Sequence, residues 1–377
     1  MNIAIVSQNS SPGILIFRRS LIERLVESRH AVYAFAIDYN DEGREEVERM
    51  GAIPVDYSLS RTGMNPFRDL SDTFKLVRKF KERNVDLVLS SFVKPSIYAT
   101  LAARIARVPR RIAMLEGLGF IHTPDRNGFT FKKRLLQIIQ GGLVSISYAF
   151  AEKILFLNPD DPVDLAKTAL LNKKKLHVLG PIGLDLERYP YTPVDLSKPV
   201  RFVFVGRLLA EKGIYEYLRA AEIVQQKYPD AEFLVLGGLD NENPTGLTQA
   251  ELQGEIDKGA ILYPGYVNNV ADYIASSHVF VLPSYREGIP RSTQEAMAIG
   301  RAVITTEVPG CRETVVEGVN GFLVPPWAPR ALAEKMVYFI ENNNEIERMG
   351  WESFCIAQDK LDVKKVNERL LSMLELK

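Results

Sequence analysis

Apolar residues along this chain recur in two alternating rhythms. Short, nearly continuous apolar runs at residues 3–6, 31–37, 52–55, 85–89, 111–114, 153–157 and 176–179 read as buried strands. Between them, residues 13–28, 66–83, 95–107, 131–150 and 160–171 carry a helical pattern. The alternation stops at 180–199, which holds Pro181, Pro190, Pro193 and Pro199 and little periodicity. It then resumes. Strands are predicted at 201–205, 232–236, 261–263, 279–282 and 321–324, and helices at 215–227, 271–275, 291–299, 329–341 and 363–376. Strands alternating with helices of this length predict parallel sheets covered on both faces, an α/β fold. We therefore expect two Rossmann-like domains, at 1–185 and 200–355, joined by a linker at 186–199. A C-terminal helix over 356–377 is expected to cross back to the first domain. Ligands of such sheets bind at the carboxyl ends of the strands, here in a cleft between the domains.

The most informative stretch is 278–321. The strand at 279–282 runs into Pro283-Ser284-Tyr285-Arg286, then Glu287-Gly288-Ile289-Pro290, then a helix from Arg291. Pro290 suits a first helical position, where its missing N–H is no loss. Glu287 stands at the mouth of this helix and Glu295 two turns in, an E-x7-E spacing. Free N–H groups and the positive end of the helix dipole make that mouth a phosphate site. The two carboxylates can accept hydrogen bonds from sugar hydroxyls. The arrangement suits a sugar attached to a diphosphate. A second motif precedes it. Gly206-Arg207 follows the strand at 201–205, and Glu211-Lys212-Gly213 opens the next helix. Two cations at a strand's carboxyl edge suit a diphosphate, Arg as a planar fork and Lys as a point charge. Each feature alone is more often just a solvated surface; it is their joint occurrence in one domain that points to a site.

The 377 residues contain 46% hydrophobic and 25% charged residues and no net charge, as in an ordinary soluble protein. The charge is unevenly spread. Residues 1–193 hold 28 Lys/Arg against 21 Asp/Glu, so the first half suits an anionic partner. Two cysteines, Cys311 and Cys355, indicate no disulfide framework. The first strand begins at Ile3 without a basic leader and apolar core, and no apolar run is long enough to span a bilayer. A cytoplasmic protein is expected. No Gly-x-Gly-x-x-Gly follows the first strand, which argues against a nicotinamide-dependent oxidoreductase.

The set Gly206-Arg207…Lys212-Gly213, Leu282-Pro283-Ser284…Glu287-Gly288-Ile289-Pro290…Glu295-Ala296 and Gly318…Asn320-Gly321 resembles family 4 glycosyltransferases of the GT-B fold, most closely over 200–325. The loops Gly237-Gly238-Leu239-Asp240-Asn241-Glu242-Asn243-Pro244 and Glu116-Gly117-Leu118-Gly119 are similar to bacterial members that extend a sugar on a polyprenyl-diphosphate carrier. The resemblance implies a retaining hexosyltransferase that moves a sugar, an N-acetylhexosamine, from a UDP-sugar to a lipid-diphosphate-linked saccharide. It implies no metal, no cofactor beyond the donor and no nucleic acid. Arg207 and Lys212 would meet the diphosphate, Glu287 the donor sugar and Glu295 the ribose. Tyr266, in Gly265-Tyr266-Val267, would lie near the base, and Gly13, Gly288, Ile289 and Pro290 would line the donor site.

This chain departs from the family in two places. The loop after the first strand, Ser10-Ser11-Pro12-Gly13-Ile14, has one glycine where many relatives have a pair. Glu116 stands where many have a histidine, with His122 six residues on. Glu116 is read as a catalytic candidate that orients an acceptor hydroxyl or holds the donor sugar; the alternative is a cap for its own loop. There is no Asp-x-Asp triplet to carry a divalent metal.

The acceptor side is expected in the first domain. Residues 129–139 are basic and apolar at once: Phe131, Leu135, Ile138 and Ile139 share a helical face beside Lys132, Lys133 and Arg134. This pattern suits a helix lying on an anionic membrane surface, at the inner face of the plasma membrane. A core helix with a basic rim is the alternative. A soluble GT-B enzyme, such as a sugar synthase or a nucleotide-sugar epimerase, would need no such surface.

Overall fold

The apolar runs form strands, and the strands form two parallel sheets. In this computed structural model, residues 1–60, 66–240, 243 and 245–376 are described; Asn241, Glu242 and Pro244 of the loop noted above lie outside them. The first sheet contains β1 (Asn2–Val6), β2 (Ala31–Ala36), β3 (Ile53–Asp56), β4 (Leu87–Ser91), β5 (Arg110–Leu115), β6 (Lys153–Phe156) and β7 (Leu176–Val178), in the order β3-β2-β1-β4-β5-β6-β7. Its helices are α1 (Arg19–Glu27), α2 (Asp41–Arg49), α3 (Pro66–Glu82), α4 (Val93–Ala106), α5 (Phe131–Tyr148) and α6 (Asp160–Leu165). The second sheet contains β8 (Arg201–Val205), β9 (Glu232–Leu236), β10 (Val279–Leu282), β11 (Ala302–Thr306) and β12 (Gly321–Val324), in the order β12-β11-β10-β8-β9. With it go α7 (Ile214–Gln225), α8 (Gln249–Asp257), α9 (Val270–Ala275), α10 (Arg291–Ile299), α11 (Pro329–Glu341) and α12 (Asn343–Lys360); α13 (Val363–Met373) ends the chain.

The chain divides into two compact units. One comprises Met1–His122, Phe129–Ile182 and Val366–Lys377, the other Thr123–Gly128 and Gly183–Lys365. The period of two along each strand decides which core a residue joins. Ile3 and Ile5 of β1 pack with Leu21, Ile22 and Leu25 of α1 and Leu370 and Leu371 of α13. Ala4 and Val6, on the opposite face, pack with Leu76, Val77 and Phe80 of α3 and Ala99, Ala102 and Ala103 of α4. In the second unit, Phe202 of β8 stacks on Phe233 of β9 at 5.4 Å between ring centroids, and the buried Tyr217 hydroxyl donates to Phe202 O and Leu234 O.

Several boundaries differ from the sequence reading. The first helix begins at Arg19, because Ser11 is extended and Ser10–Ile14 makes a separate wide turn capped by Asn9. The helix expected over 160–171 stops at Leu165, beyond which Thr168 O lies so near Gly141 that a Cβ there would come within 2.2 Å. The strand expected at 261–263 is a single bridge, Leu262 to Leu234. Helix α2 went unseen because its sequence, DEGREEVER, is almost entirely charged and buries only Gly43 and Val47. Helices α8 and α12 and strand β11 were also not anticipated. The stretch at 186–199 lies within the second unit. The single helix expected over 356–377 is the end of α12 followed by α13, and residues from Val366 onward belong to the first unit.

Candidate active site

In the second sheet, β8 and β10 are neighbours whose connections leave in opposite directions, to β9 and to β11. The carboxyl ends of such strands flank a topological switch point, where α/β sheets open a binding crevice. Arg207 follows β8 there, and the turn at 283–287 follows β10. Close backbone approach brings their loops together. Gly213 adopts φ +77°, and a Cβ on it would lie 2.1 Å from Pro283 O, so only glycine lets α7 begin here. Tyr285 N donates to Glu211 O at 2.9 Å, joining the two loops by their backbones. Ser292 Oγ donates to Val205 O at 3.1 Å, which ties the first turn of α10 to the end of β8.

This scaffold sets Glu287. Its Oε1 accepts from Lys212 Nζ at 2.6 Å and from Ser284 Oγ at 2.8 Å, and the side chain is 11% exposed. Its backbone is clamped as well: Glu287 N donates to Pro309 O at 3.0 Å, and Gly310 passes so close that a Cβ would sit 2.3 Å from Glu287 O. Thr306 Oγ1 donates to Ser284 O from below. Cys311 is buried in the same floor, and burial, with the nearby Glu287 charge, pushes its thiol up to about 12. Beside this, Tyr285 donates to both carboxylate oxygens of Glu216, at 2.9 and 2.8 Å, and its ring packs on Trp327 at 5.0 Å. Burial raises the Glu216 carboxyl above its usual range.

Glu295 lies on α10, which begins at Arg291 with Pro290 as its N-cap rather than its first residue. Its Oε1 accepts from Arg291 Nε and from Tyr189 OH, both at 2.9 Å. Arg207 is different: its side chain is 57% exposed and its guanidinium meets Asp240 at 3.2 Å. Tyr266 is exposed too, after Gly265 at φ +87°. Glu287, Lys212, Gly288, Ile289, Pro290 and Glu295 are thus drawn into one sheet edge, with Arg207 at its rim. Among the described residues no group of His, Cys, Asp and Glu has the arrangement of a metal site.

In the first unit, the loop after β1 passes tightly over its own strand end. A Cβ on Gly13 would lie 2.1 Å from Ser7 Oγ and 2.5 Å from Asn9 Oδ1, so a larger residue here would have to displace both side chains. Glu116 follows β5 and is paired with the buried Arg18, which also donates to Ser91 Oγ at 3.1 Å. Glu116 therefore braces the ends of β4 and β5 through Arg18. His122 is buried.

The first half of helix α5 has its polarity reversed, while Val144 and Tyr148 in its second half pack into the core. Lys133, Gln137 and Gln140 point inward, with Gln137 Nε2 donating to Ile121 O at 2.7 Å. Phe131 and Ile138 are 83% and 62% exposed, and Leu135 and Ile139 are exposed beside them. The apolar face is not core. Lys132 and Arg134 flank it in solvent. Lys133 must be corrected: it is buried, with its ammonium 4.1 Å from the centre of the Phe120 ring, and is no part of a basic surface. A second exposed apolar strip, Phe67, Leu70 and Phe74, lies on α3.

Tyr189, Ser284, Tyr285, Glu216 and Arg18 were not singled out from sequence. Ser284 and Tyr285 lie inside the turn Pro283-Ser284-Tyr285-Arg286. Tyr189 sat in a proline-rich stretch without periodicity, where nothing local marks a side chain that reaches α10.

Residues 13–158 match the family model "Glycosyl transferase 4-like", and residues 199–342 match "Glycosyl transferases group 1". A putative teichuronic acid biosynthesis glycosyltransferase of Bacillus subtilis is 34% identical over 78% of this chain and 73% of its own length. The Campylobacter jejuni N,N'-diacetylbacillosaminyl-diphospho-undecaprenol alpha-1,3-N-acetylgalactosaminyltransferase is 28% identical over 89% of this chain and 88% of its own. Among solved structures, Anabaena Alr3699/HepE in complex with UDP-glucose superposes with a TM-score of 0.78 at 19% identity, covering 100% of this chain and 99% of that one. The sheet orders, the switch-point site and these matches agree: the chain belongs to the family 4, group 1 glycosyltransferases of the GT-B fold.

Proposed function

We propose that the protein moves a sugar, an N-acetylhexosamine, from a UDP-sugar to a saccharide carried on a polyprenyl diphosphate, with retention of configuration and without a metal. The observation that carries this reading is the triad of Lys212, Ser284 and Glu287 at the mouth of α10. It sets a cation and a carboxylate side by side, where a diphosphate and its sugar would meet. The relative that acts on a diphospho-undecaprenol-linked sugar supports the acceptor class.

In the proposed reaction the bond between the sugar C1 and the β-phosphate oxygen breaks, and the acceptor oxygen bonds to C1 on the same face. The acceptor proton passes to the departing phosphate oxygen. Lys212, Arg207 and the N–H groups at the start of α10 stabilise the charge that develops on UDP. Glu287 holds the donor sugar, Glu295 the ribose, and Tyr266 lines the donor site. Glu116, braced by Arg18, orders the acceptor-side loop. The protein's part is to position both substrates and neutralise the leaving group.

The exposed apolar face of α5, flanked by Lys132 and Arg134, supports action at an anionic membrane surface. Among the described residues no helix is long and apolar enough to cross a membrane. The test is a panel of UDP-sugars with a lipid-diphosphate-linked acceptor, the new linkage assigned by NMR. An inverted anomer would overturn the retaining mechanism. Turnover of every soluble acceptor but no lipid-linked one would move the assignment to a soluble sugar synthase.

A further inference from the structure

We propose that Tyr189 is a positioning residue for the nucleotide end of the site: its hydroxyl holds Glu295 in the orientation in which that carboxylate takes the ribose hydroxyls. The inference rests on the reading that Glu295 receives the ribose. Tyr189 stands at the start of a strap that is pinned along the last turn of α10. Two residues on, Tyr191 packs edge-on against Trp351 at 5.2 Å and against Phe354 at 5.0 Å. Its ring lies where a Cβ on Gly300, at φ +89°, would come within 2.6 Å. Thr192 N donates to Ile299 O at 3.0 Å, and the buried Arg301 donates to Thr192 O. Farther along, the His278 ring bonds Asp195 O at 3.1 Å. Pro190 and Pro193 limit the backbone between these anchors. The position of Tyr189 is therefore determined by the packing of its neighbours.

Its hydroxyl and Arg291 Nε both address Oε1 of Glu295 at 2.9 Å. Two donors on one oxygen set the rotation of the carboxylate about its last bond. A carboxylate oriented in advance binds a pair of hydroxyls without first losing that freedom. Arg291 also supplies charge, whereas Tyr189 supplies direction alone. Burial pushes the Tyr189 hydroxyl up to about 12, so it remains a donor across the working pH range.

The test uses the full chain and calorimetric titration with UDP. Tyr189→Phe keeps the ring and removes the donor. It is expected to weaken UDP about 10-fold, the scale of one hydrogen bond to a charged group. KM for the donor should rise in step, with kcat within about twofold. Inorganic pyrophosphate, which has no ribose, should bind Tyr189→Phe as it binds the parent; equal weakening of both ligands would mean a merely structural role and overturn the proposal. In a Glu295→Ala background, Tyr189→Phe should have no further effect, and additive losses would also overturn it. If Glu295→Ala weakens UDP but Tyr189→Phe does not, the ribose reading stands and the role of Tyr189 falls. If Glu295→Ala binds UDP like the parent, both fall.

Discussion

Lys212 and Glu287 lie 75 positions apart in sequence and 2.6 Å apart in the fold. Neither is fully buried, and they share Glu287 Oε1 with Ser284. In the proposed reaction the pair supplies a cation for the diphosphate and a carboxylate for the sugar. It also predicts that the two proposed diphosphate cations differ when removed. Lys212→Ala should lower turnover by ~10²–10³, the scale for one preorganised charge-stabilising group. It should also destabilise the fold by about 1–3 kcal/mol, because the largely buried Glu287 loses its partner. Arg207→Ala should lower turnover comparably yet leave the melting temperature unchanged, since its side chain is mostly in solvent. Steady-state kinetics with thermal melts checks both; near-parent turnover in both variants would remove them from the diphosphate site.

If two cations and a helix mouth neutralise the leaving group, a divalent ion is dispensable. Transfer should persist in excess EDTA at more than half the parent rate. Full loss in EDTA, restored by magnesium or manganese, would defeat the metal-free mechanism.

The buried position of Lys133 narrows the membrane test to Lys132 and Arg134. Each basic residue near an anionic surface contributes about 1 kcal/mol. Lys132→Glu with Arg134→Glu should therefore weaken binding to anionic vesicles by more than ~30-fold at low salt. Phe131→Ala with Ile138→Ala should weaken it further, and also on neutral vesicles. Salt should reproduce the charge effect but not the apolar one. Sedimentation of vesicles with graded anionic lipid measures this, and indifference to lipid charge in the parent would end the membrane assignment. Lys133→Glu should instead lower stability, by placing an acid against the Phe120 ring.

His278 predicts the direction of pH dependence. Its Nδ1 accepts from Arg201 N at 3.0 Å, so its Nε2 carries the proton shared with Asp195 O. Burial, reinforced by Arg301 and Arg201 against the opposing bond to Asp195 O, holds its pKa below the usual 6.5. The unfolded chain takes up a proton below about pH 6.5 that the folded chain refuses. This contribution is thus complete above about pH 6.5 and is lost as pH falls from there toward the lower folded value. Urea unfolding at pH 7.5 and 5.5 should show that loss, and His278→Phe should flatten the slope while lowering stability at both pH values. An unchanged slope in the variant would assign the pH dependence elsewhere.

Much of this architecture was legible from local pattern. Buried parallel strands need apolar runs whichever sheet they join, so β8, β9, β10 and β12 were bounded to the residue. The turn from β10 into α10 was equally plain, because Pro283 and Pro290 fix φ and Gly288 punctuates the turn wherever the chain goes. Charged α2 was missed for the same reason in reverse: it has almost no apolar stripe to signal it. Local sequence also marked α5 as amphipathic, but an amphipathic pattern carries no sign. Only its packing reveals that Lys133 and Gln137 turn inward while Phe131 and Ile138 face out.

Ser284 and Arg291 are local partners of Glu287 and Glu295, but the distant partners of the site residues belong to tertiary structure. Sequence spacing sets Glu287 and Glu295 on one turn and helix, because that relation is local. It carries no information on which distant group will saturate each carboxylate. Lys212 reaches Glu287 because Gly213 lets α7 start against Pro283 O, and Tyr189 reaches Glu295 because Tyr191 and Thr192 are pinned to the end of α10. Arg18 takes Glu116 because β1 and β5 both neighbour β4 in the sheet order, which brings the ends of their loops together. In each case backbone close approach and strand order decide the contact, and both exist only once the chain has folded.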